Sequence, residues 1–274
     1  MARDANHLRA KKSLGQHFLV DAHYISRIAE SVVSNQPHPF VLEIGPGTGN
    51  LTAAIIERIQ QTPIIAVEKD VRAFEVLRDR FGHRTPALQE GDALTFDFNE
   101  LPEGRGVIAG NLPYNVGTGI FIRSLRAGAH FKKAVFMFQA EVARRITAAP
   151  STSAYGSLSV FAQMWGTHQL MMTLPPGAFS PPPKVDSAVI VSQISESPLL
   201  AITSQEVDAF ESFVRGAFQH RRKTMAKSLS LTGHSRQKVQ EAIQQCGFKD
   251  KIRAEALSPA ELAAVWNEFN GREP

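Results

Sequence analysis

The sequence predicts an α/β fold: a mostly parallel open sheet covered by helices on both faces, followed by a small all-helical region. Three observations predict it. Short apolar runs alternate with helix-period segments through about residue 150, which demands crossover connections and a parallel sheet. The apolar runs stop at a glycine, an acid or an asparagine, as strands do where they leave a buried sheet. Beyond about residue 195 the pattern is helical only. With 274 residues, 43% hydrophobic and 20% charged, the composition excludes disordered and fibrous classes. A chain this long buries about 75% of its unfolded surface and needs no disulfide or metal to fold. The single cysteine, Cys246, excludes an intrachain disulfide and a Cys-rich zinc site, and it fits a reducing compartment. No apolar run approaches the ~18 residues of a spanning helix. The opening MARDANHLRAKKSLGQHF lacks the apolar core of a secretory signal. A soluble, cytoplasmic protein without a membrane partner is expected.

The elements follow in order. Asp21 is placed to cap a helix whose apolar positions are Ile25, Ile28, Ala29 and Val32. FVLEI at 40–44 is a buried strand, GPGTG follows at 45–49, and Leu51, Ile55 and Ile59 mark a helix. PIIAV at 63–67 is a second strand ending at Glu68, and Val71, Phe74, Leu77 and Phe81 mark the next helix. A short strand leads to Gly91-Asp92, GVIAG at 106–110 runs into Asn111-Leu112-Pro113-Tyr114, and KAVFMF at 133–138 precedes a helix from Glu141 to Ala149. Two later strands, MMTL at 171–174 and SAVIVS at 187–192, flank PPGAFSPPPKVD, which reads as an extended loop. Val207, Phe210, Val214 and Phe218 mark one later helix, and Val239, Ile243 and Cys246 another, with Cys246 expected on the apolar face. A boundary near 195–203 divides the chain into domains of residues 1–198 and 199–274.

The formal charge of +4 is uneven. Residues 215–253 carry a local +8 and residues 1–12 a local +3, so the rest of the chain is net −7. Two basic segments on an acidic body fit a polyanionic partner, nucleic acid being the commonest, or a solvated helical face.

Ligands of open parallel sheets bind at the carboxyl ends of the strands. Four such ends carry Gly45–Gly49, Glu68, Asp92 and Asn111. The glycines admit a ligand against the backbone where a helix begins. Glu68, 23 residues after Gly45, is placed to accept both hydroxyls of a ribose, and Asp92 to bond an adenine amine; both acids could equally be helix caps. A dinucleotide site needs Gly-x-Gly-x-x-Gly, but Asn50 stands where its third glycine would fall. S-adenosylmethionine has no pyrophosphate to seat, and the spacing favours it over nicotinamide. The sequence has neither a P-loop nor the cysteines of a zinc deaminase.

Asn111-Leu112-Pro113-Tyr114 fits methyl transfer to an exocyclic amine. The lone pair of such a nitrogen is delocalised into its ring. The Asn111 oxygen and a nearby backbone carbonyl can accept its two hydrogens and aim the lone pair at a methyl carbon. Pro113 fixes the turn and Tyr114 can stack on the base. The alkylated nitrogen is acidic, so no strong base is required.

These motifs resemble those of the ribosomal RNA adenine N6,N6-dimethyltransferase family along nearly the whole chain. The resemblance is carried by KSLGQHFL at 12–19, EIGPGTG at 43–49, GDA at 91–93, GNLPYN at 110–115, YGSLSV at 155–160, FSPPPKVDSAV at 179–189, QHRRKT at 219–224 and RAE at 253–255. It implies a Rossmann-like S-adenosylmethionine-dependent methyltransferase fold with a mostly parallel seven-stranded sheet and a small C-terminal all-helical domain. It implies that His17, Leu19, Gly45, Glu68, Asp92 and Asn111 bind the donor. Many members carry Asn where this chain has His17. Asn111, Leu112, Pro113 and Tyr114 would form the catalytic motif, with Phe179 packing on a flipped target base opposite Tyr114. Arg221, Arg222 and Lys223 would contact RNA. The implied reaction is dimethylation of two adjacent adenosines in the 3′-terminal hairpin of 16S ribosomal RNA, within a pre-assembled small subunit, by a monomer that needs no metal. A large-subunit RNA methylase conferring antibiotic resistance, and an assembly factor acting mainly by binding RNA, are the alternatives.

Overall fold

The computed structural model describes residues 16–35, 37–59 and 61–271. Its strands are β1 (Phe18–Leu19), β2 (Val41–Ile44), β3 (Ile64–Glu68), β4 (Ala87–Glu90), β5 (Gly106–Asn111), β6 (Phe131–Gln139), β7 (Gly166–Leu174), β8 (Phe179–Ser180) and β9 (Ser187–Ile194). Its helices are α1 (Ala22–Val33), α2 (Asn50–Ile56), α3 (Arg72–Phe81), α4 (Gly117–Arg126), α5 (Ala140–Ile146), α6 (Ser157–Gln163), α7 (Val207–Gln219), α8 (Met225–Ser230), α9 (Arg236–Gln245) and α10 (Pro259–Phe269). Among the described residues no helix is long and apolar enough to cross a membrane.

Seven strands form one sheet in the order β4-β3-β2-β5-β6-β9-β7. Neighbours from β4 through β6 run parallel, and β9 runs antiparallel to β6. The chain moves outward from β2 to β4, then returns to the other side of β2 as β5. That reversal makes a switch point, where a crevice opens outside the strands' carboxyl ends. The register levels those ends, because Ile44 lies opposite both Val67 and Gly110. Gly45, Glu68 and Asn111 therefore come next, side by side along one edge.

The central strands are apolar because both of their faces are covered. Every residue of β2 is buried, Glu43 included, and Glu43 lies between Ala66 and Ala109, small neighbours that leave it room. Below the sheet, Ile25, Ile28, Ala29 and Val32 of α1 join Ile55, Val107 and Val135 in one buried cluster. Asp21 caps α1, its Oδ1 accepting from the N–H groups of His23 and Tyr24. In α3 the buried positions are Ala73 and Leu77, while Val71 precedes the helix and is exposed, so the expected Val71–Phe74 face is shifted by a residue or two. The helix expected over 141–149 ends at Ile146.

The proline-rich stretch is not a simple loop. Pro176–Ala178 makes a 3-10 turn, and β8 follows it and pairs antiparallel with β1, Leu19 opposite Phe179. The basic segment expected at 1–12, and Lys12–Gly15 of the first motif, lie outside the described residues.

The chain divides into two compact units. One holds the chain through Ala143 plus His168–Glu196; the other holds Arg144–Thr167 plus the chain from Ser197 on. Residues 144–167, assigned by sequence to the first domain, thus belong with the helical unit. There, Tyr155 donates to the carbonyl of Leu257, Leu199 N–H donates to Met164, and Phe161 packs beneath the Arg215 guanidinium. In α7, Val207, Phe210, Val214 and Phe218 are buried as their spacing requires. Cys246 is half-buried at the carboxyl cap of α9 rather than on its core face, and burial pushes its thiol pKa up.

At the switch point β2 and β5 approach closely. A Cβ on Gly110 would stand 2.5 Å from the Ile44 carbonyl oxygen. Gly110→Ala is expected to destabilise the fold by about 1–3 kcal/mol, read in urea unfolding as a lower midpoint with unchanged slope.

Candidate active site

The glycine loop leaves β2 through Gly45 and Gly47, both at positive φ (65° and 54°), where an L side chain is strained. A Cβ on Gly47 would also meet the Phe18 ring at 2.9 Å. The loop is therefore pressed under β1.

Glu68 ends β3 and is 6% exposed. Its Oε1 accepts from the N–H groups of Lys69 and Asp70, each at 2.8 Å, and its Oε2 accepts from Gly47 N–H at 3.2 Å. Burial raises its pKa, and those three N–H groups pull the other way. Asp92 follows β4. Its Oδ2 accepts from Lys69 Nζ at 2.8 Å and its Oδ1 from Leu94 N–H at 2.9 Å. The Lys69 ammonium, first, and then the Leu94 N–H hold its pKa below the usual carboxylate range.

Asn111 ends β5, and its Nδ2 donates to the carbonyl of His17 at 2.7 Å. That bond fixes the amide and leaves Oδ1 as its free-standing acceptor. Leu112 is buried, and the Pro113 carbonyl accepts the N–H groups of Val116 and Gly117, which start α4. Tyr114 stacks on the His17 ring, centroids 5.6 Å apart and planes at 25°, and its hydroxyl pairs with Ser187 Oγ at 2.7 Å. Burial raises the phenol's pKa. His17 Nδ1 lies 2.8 Å from the Pro181 carbonyl oxygen, so Nδ1 is the donor.

These groups enclose a cavity of about 190 Å³, lined by His17, Gly45, Glu68, Asp92, Asn111, Leu112, Pro113 and Tyr114. A smaller recess of about 40 Å³ shares Phe18, Gly45 and Asn111 with it and adds Leu19, Glu43 and Asn50. All six residues expected at the donor are thus gathered at one edge of the sheet. Phe179 is not in the cavity wall. It is 4% exposed in the core cluster with Leu19 and Leu174, because pairing with β1 turns it inward and Ser180 outward. Arg221, Arg222 and Lys223 lie in the turn between α7 and α8, in the other unit. Arg221 is tied to Glu255 and the Ser153 carbonyl, whereas Arg222 and Lys223 are exposed without an ion pair among the described residues.

Glu43, Lys69 and Asn50 were not anticipated at the site. Glu43 was legible as the one acid inside an apolar strand. Lys69 was legible only as the residue beside an acid, and Asn50 only as a missing glycine.

The family model for ribosomal RNA adenine dimethylase matches residues 7–271. The chain belongs to this family. A ribosomal RNA small subunit methyltransferase A of Geobacter metallireducens is 40% identical over 266 residues, covering 94% of each chain. The protein of the same name from Gluconobacter oxydans is 40% identical over 265 residues, 95% of this chain and 84% of that one. Among solved structures, the 23S rRNA methyltransferase ErmE is 26% identical with a TM-score of 0.67, covering 92% of this chain and 99% of that one. A dimethyladenosine transferase from Plasmodium falciparum shares the fold with a TM-score of 0.75 at 22% identity, over 93% and 98% of the two chains. This adenine dimethylase is accordingly a transferase with the Rossmann-like methyltransferase fold.

Within the dimethylase site Glu43 is the most perturbed acid. Burial pushes its pKa from 4.5 up to about 7, against the hydrogen bond from Thr52 Oγ1 at 2.7 Å and with some help from Glu68. An acid whose folded-state pKa exceeds its unfolded value binds its proton more tightly when folded. Stability from this source is therefore present at low pH and is lost as pH rises through the window from about 4.5 to about 7. The loss is on the order of 3 kcal/mol. Melting temperatures of the wild type and Glu43→Gln at pH 5 and pH 8 should show the variant gaining on the wild type at the higher pH.

Proposed function

We propose that the chain transfers methyl groups from S-adenosylmethionine to the N6 amines of two adjacent adenosines in the 3′-terminal hairpin of 16S ribosomal RNA, within a pre-assembled small subunit. We read it as a cytoplasmic monomer. The observation that carries the proposal is Asn111: its amide nitrogen is tied to His17, and so its oxygen is the acceptor beside the cavity that Gly45, Glu68 and Asp92 share.

The residues present fit the donor. A side chain at Gly45 would extend into open space, so the backbone there is bare towards a ligand. Glu68 Oε1 holds two backbone N–H groups but Oε2 holds only one, so Oε2 retains acceptor capacity, which suits a ribose hydroxyl. Asp92 suits an adenine amine once Lys69 yields its place. When bound, S-adenosylmethionine supplies an electrophilic methyl carbon. Asn111 Oδ1 and the carbonyl of Leu112, which no backbone N–H among the described residues claims, accept the two N6 hydrogens of the target and aim its lone pair. Tyr114 offers the stacking face, and for the target base to use it the His17 ring must move aside or form the other side of a sandwich. Phe179 holds β8 in place and supports the site from the core.

The test is methyl incorporation into small subunits from a strain lacking the protein, mapped by primer extension. Stops at two neighbouring adenines are expected, and stops elsewhere would overturn the assignment. Asn111→Ala should lower the turnover rate by at least about 100-fold. Because the same amide holds His17, donor affinity should fall by a few-fold as well. Full activity in this variant would refute the role. For RNA binding, Arg222→Ala and Lys223→Ala should each lower the slope of log affinity against log salt by about 1. Arg221→Ala should chiefly lower the melting temperature, since it removes one of the two cations on Glu255 and the bond to the Ser153 carbonyl.

A further inference from the structure

Strand β1 has only two residues, and among the described residues its strand partner is the equally short β8. Yet the adjoining segment lines the cavity through His17 and Phe18. Two side-chain amides fasten its backbone from below. Asn111 Nδ2 donates to the carbonyl of His17 at 2.7 Å, and Asn50 Nδ2 donates to the carbonyl of Leu19 at 2.8 Å. The second amide is itself held. Arg80 Nη1 donates to Asn50 Oδ1 at 2.8 Å and to the Thr48 carbonyl at 2.7 Å. A guanidinium has only donors, so it fixes which end of the Asn50 amide faces it and sends the NH₂ towards Leu19. Arg80 reaches this point because the last turn of α3 abuts the glycine loop. A Cβ on Gly49 would meet Leu77 at 2.7 Å and Phe81 at 2.9 Å. Arg80 does not line the cavity.

We propose that Asn50 and Arg80 are positioning residues for the methyl donor: together they latch His17–Leu19 against the glycine loop, so that this wall of the donor pocket stands before the donor arrives. The inference rests on the donor reading given above. A wall held in advance spares the ligand the ordering of a short segment, and the benefit appears in affinity rather than in the chemical step. The latch joins three pieces remote in sequence: β1, the start of α2 and the end of α3.

Substitutions separate its two bonds. Asn50→Asp keeps the acceptor for Arg80 but sets an oxygen against the Leu19 carbonyl. Arg80→Ala leaves the strap bond and frees the amide to turn over. Calorimetry with S-adenosylhomocysteine should show about tenfold weaker binding for Asn50→Asp and about threefold for Arg80→Ala. Arg80→Lys should recover most of the second loss. The two losses should not add in the double variant, because one amide serves both bonds. The KM for S-adenosylmethionine should rise in parallel, with the change in kcat smaller than the change in KM. Amide hydrogen exchange at 18–20 should quicken, while the urea midpoint moves little.

Wild-type affinity in Asn50→Asp, or a loss confined to kcat at saturating donor, would overturn the latch alone. A wild-type protein that binds no S-adenosylhomocysteine would overturn the donor reading and the latch with it.

Discussion

The site depends on where burial ends. β2, β3 and β5 are covered on both faces, and an unpaired polar group inside them would cost several kcal/mol. Their polar residues therefore collect at the strands' carboxyl ends, Glu68 still buried there and Asn111 half-buried. The register makes those positions coincide: Ile44, Val67 and Gly110 are level, so Gly45, Glu68 and Asn111 emerge together. The close approach of Gly110 to the Ile44 carbonyl narrows the gap between the two strands that flank the switch point. Glu43 is the exception inside the sheet. Its carboxyl is tolerated because Ala66 and Ala109 leave room, Thr52 donates to it, and burial raises its pKa to about 7.

The second constraint is non-local. A two-residue strand has little cohesion of its own, and β1 is held by contacts far along the chain: Phe179, Pro181, Asn50 and Asn111. Asn111 thereby joins the two halves of the reaction. Its nitrogen secures the segment that walls the cavity, and in the proposed reaction its oxygen would accept from the target amine. An aspartate at this position could not do both, since it offers no N–H to His17.

The parts of the fold and site that were legible in the sequence are those governed by periodicity and by strand ends. The apolar runs, the glycine loop and the polar residues that terminate Glu68 and Asn111 strands are local patterns, and local patterns survive in a linear reading. The parts that were not legible are set by pairings across large separations. The resemblance implies that Phe179 faces a target base, but its orientation follows from Leu19, 160 residues earlier, and two residues of strand carry no alternation to reveal it. Residues 144–167 fall on the sheet side of a boundary placed near 195–203, where the pattern turns helical only, yet Tyr155 bonds Leu257, 102 residues later. Lys69 and Asn50 were visible as letters, but Lys69 gains its meaning from Asp92 and Asn50 from Leu19 and Arg80.

The same distinction applies to the basic segment. Its local +8 is a property of composition, and a phosphate responds to cations that are free to meet it. Arg215 is paired with Glu211 and lies 4.7 Å above the Phe161 ring, and Arg221 and Arg253 converge on the single carboxylate of Glu255. Those three side chains are engaged with partners of their own unit. Arg222 and Lys223, just before α8, have no such partner among the described residues. The charge that would attract RNA over a distance is then the sum of all these cations, screened within about 8 Å at physiological salt, whereas in the proposed reading close contact would fall to the few whose side chains are left unengaged among the described residues.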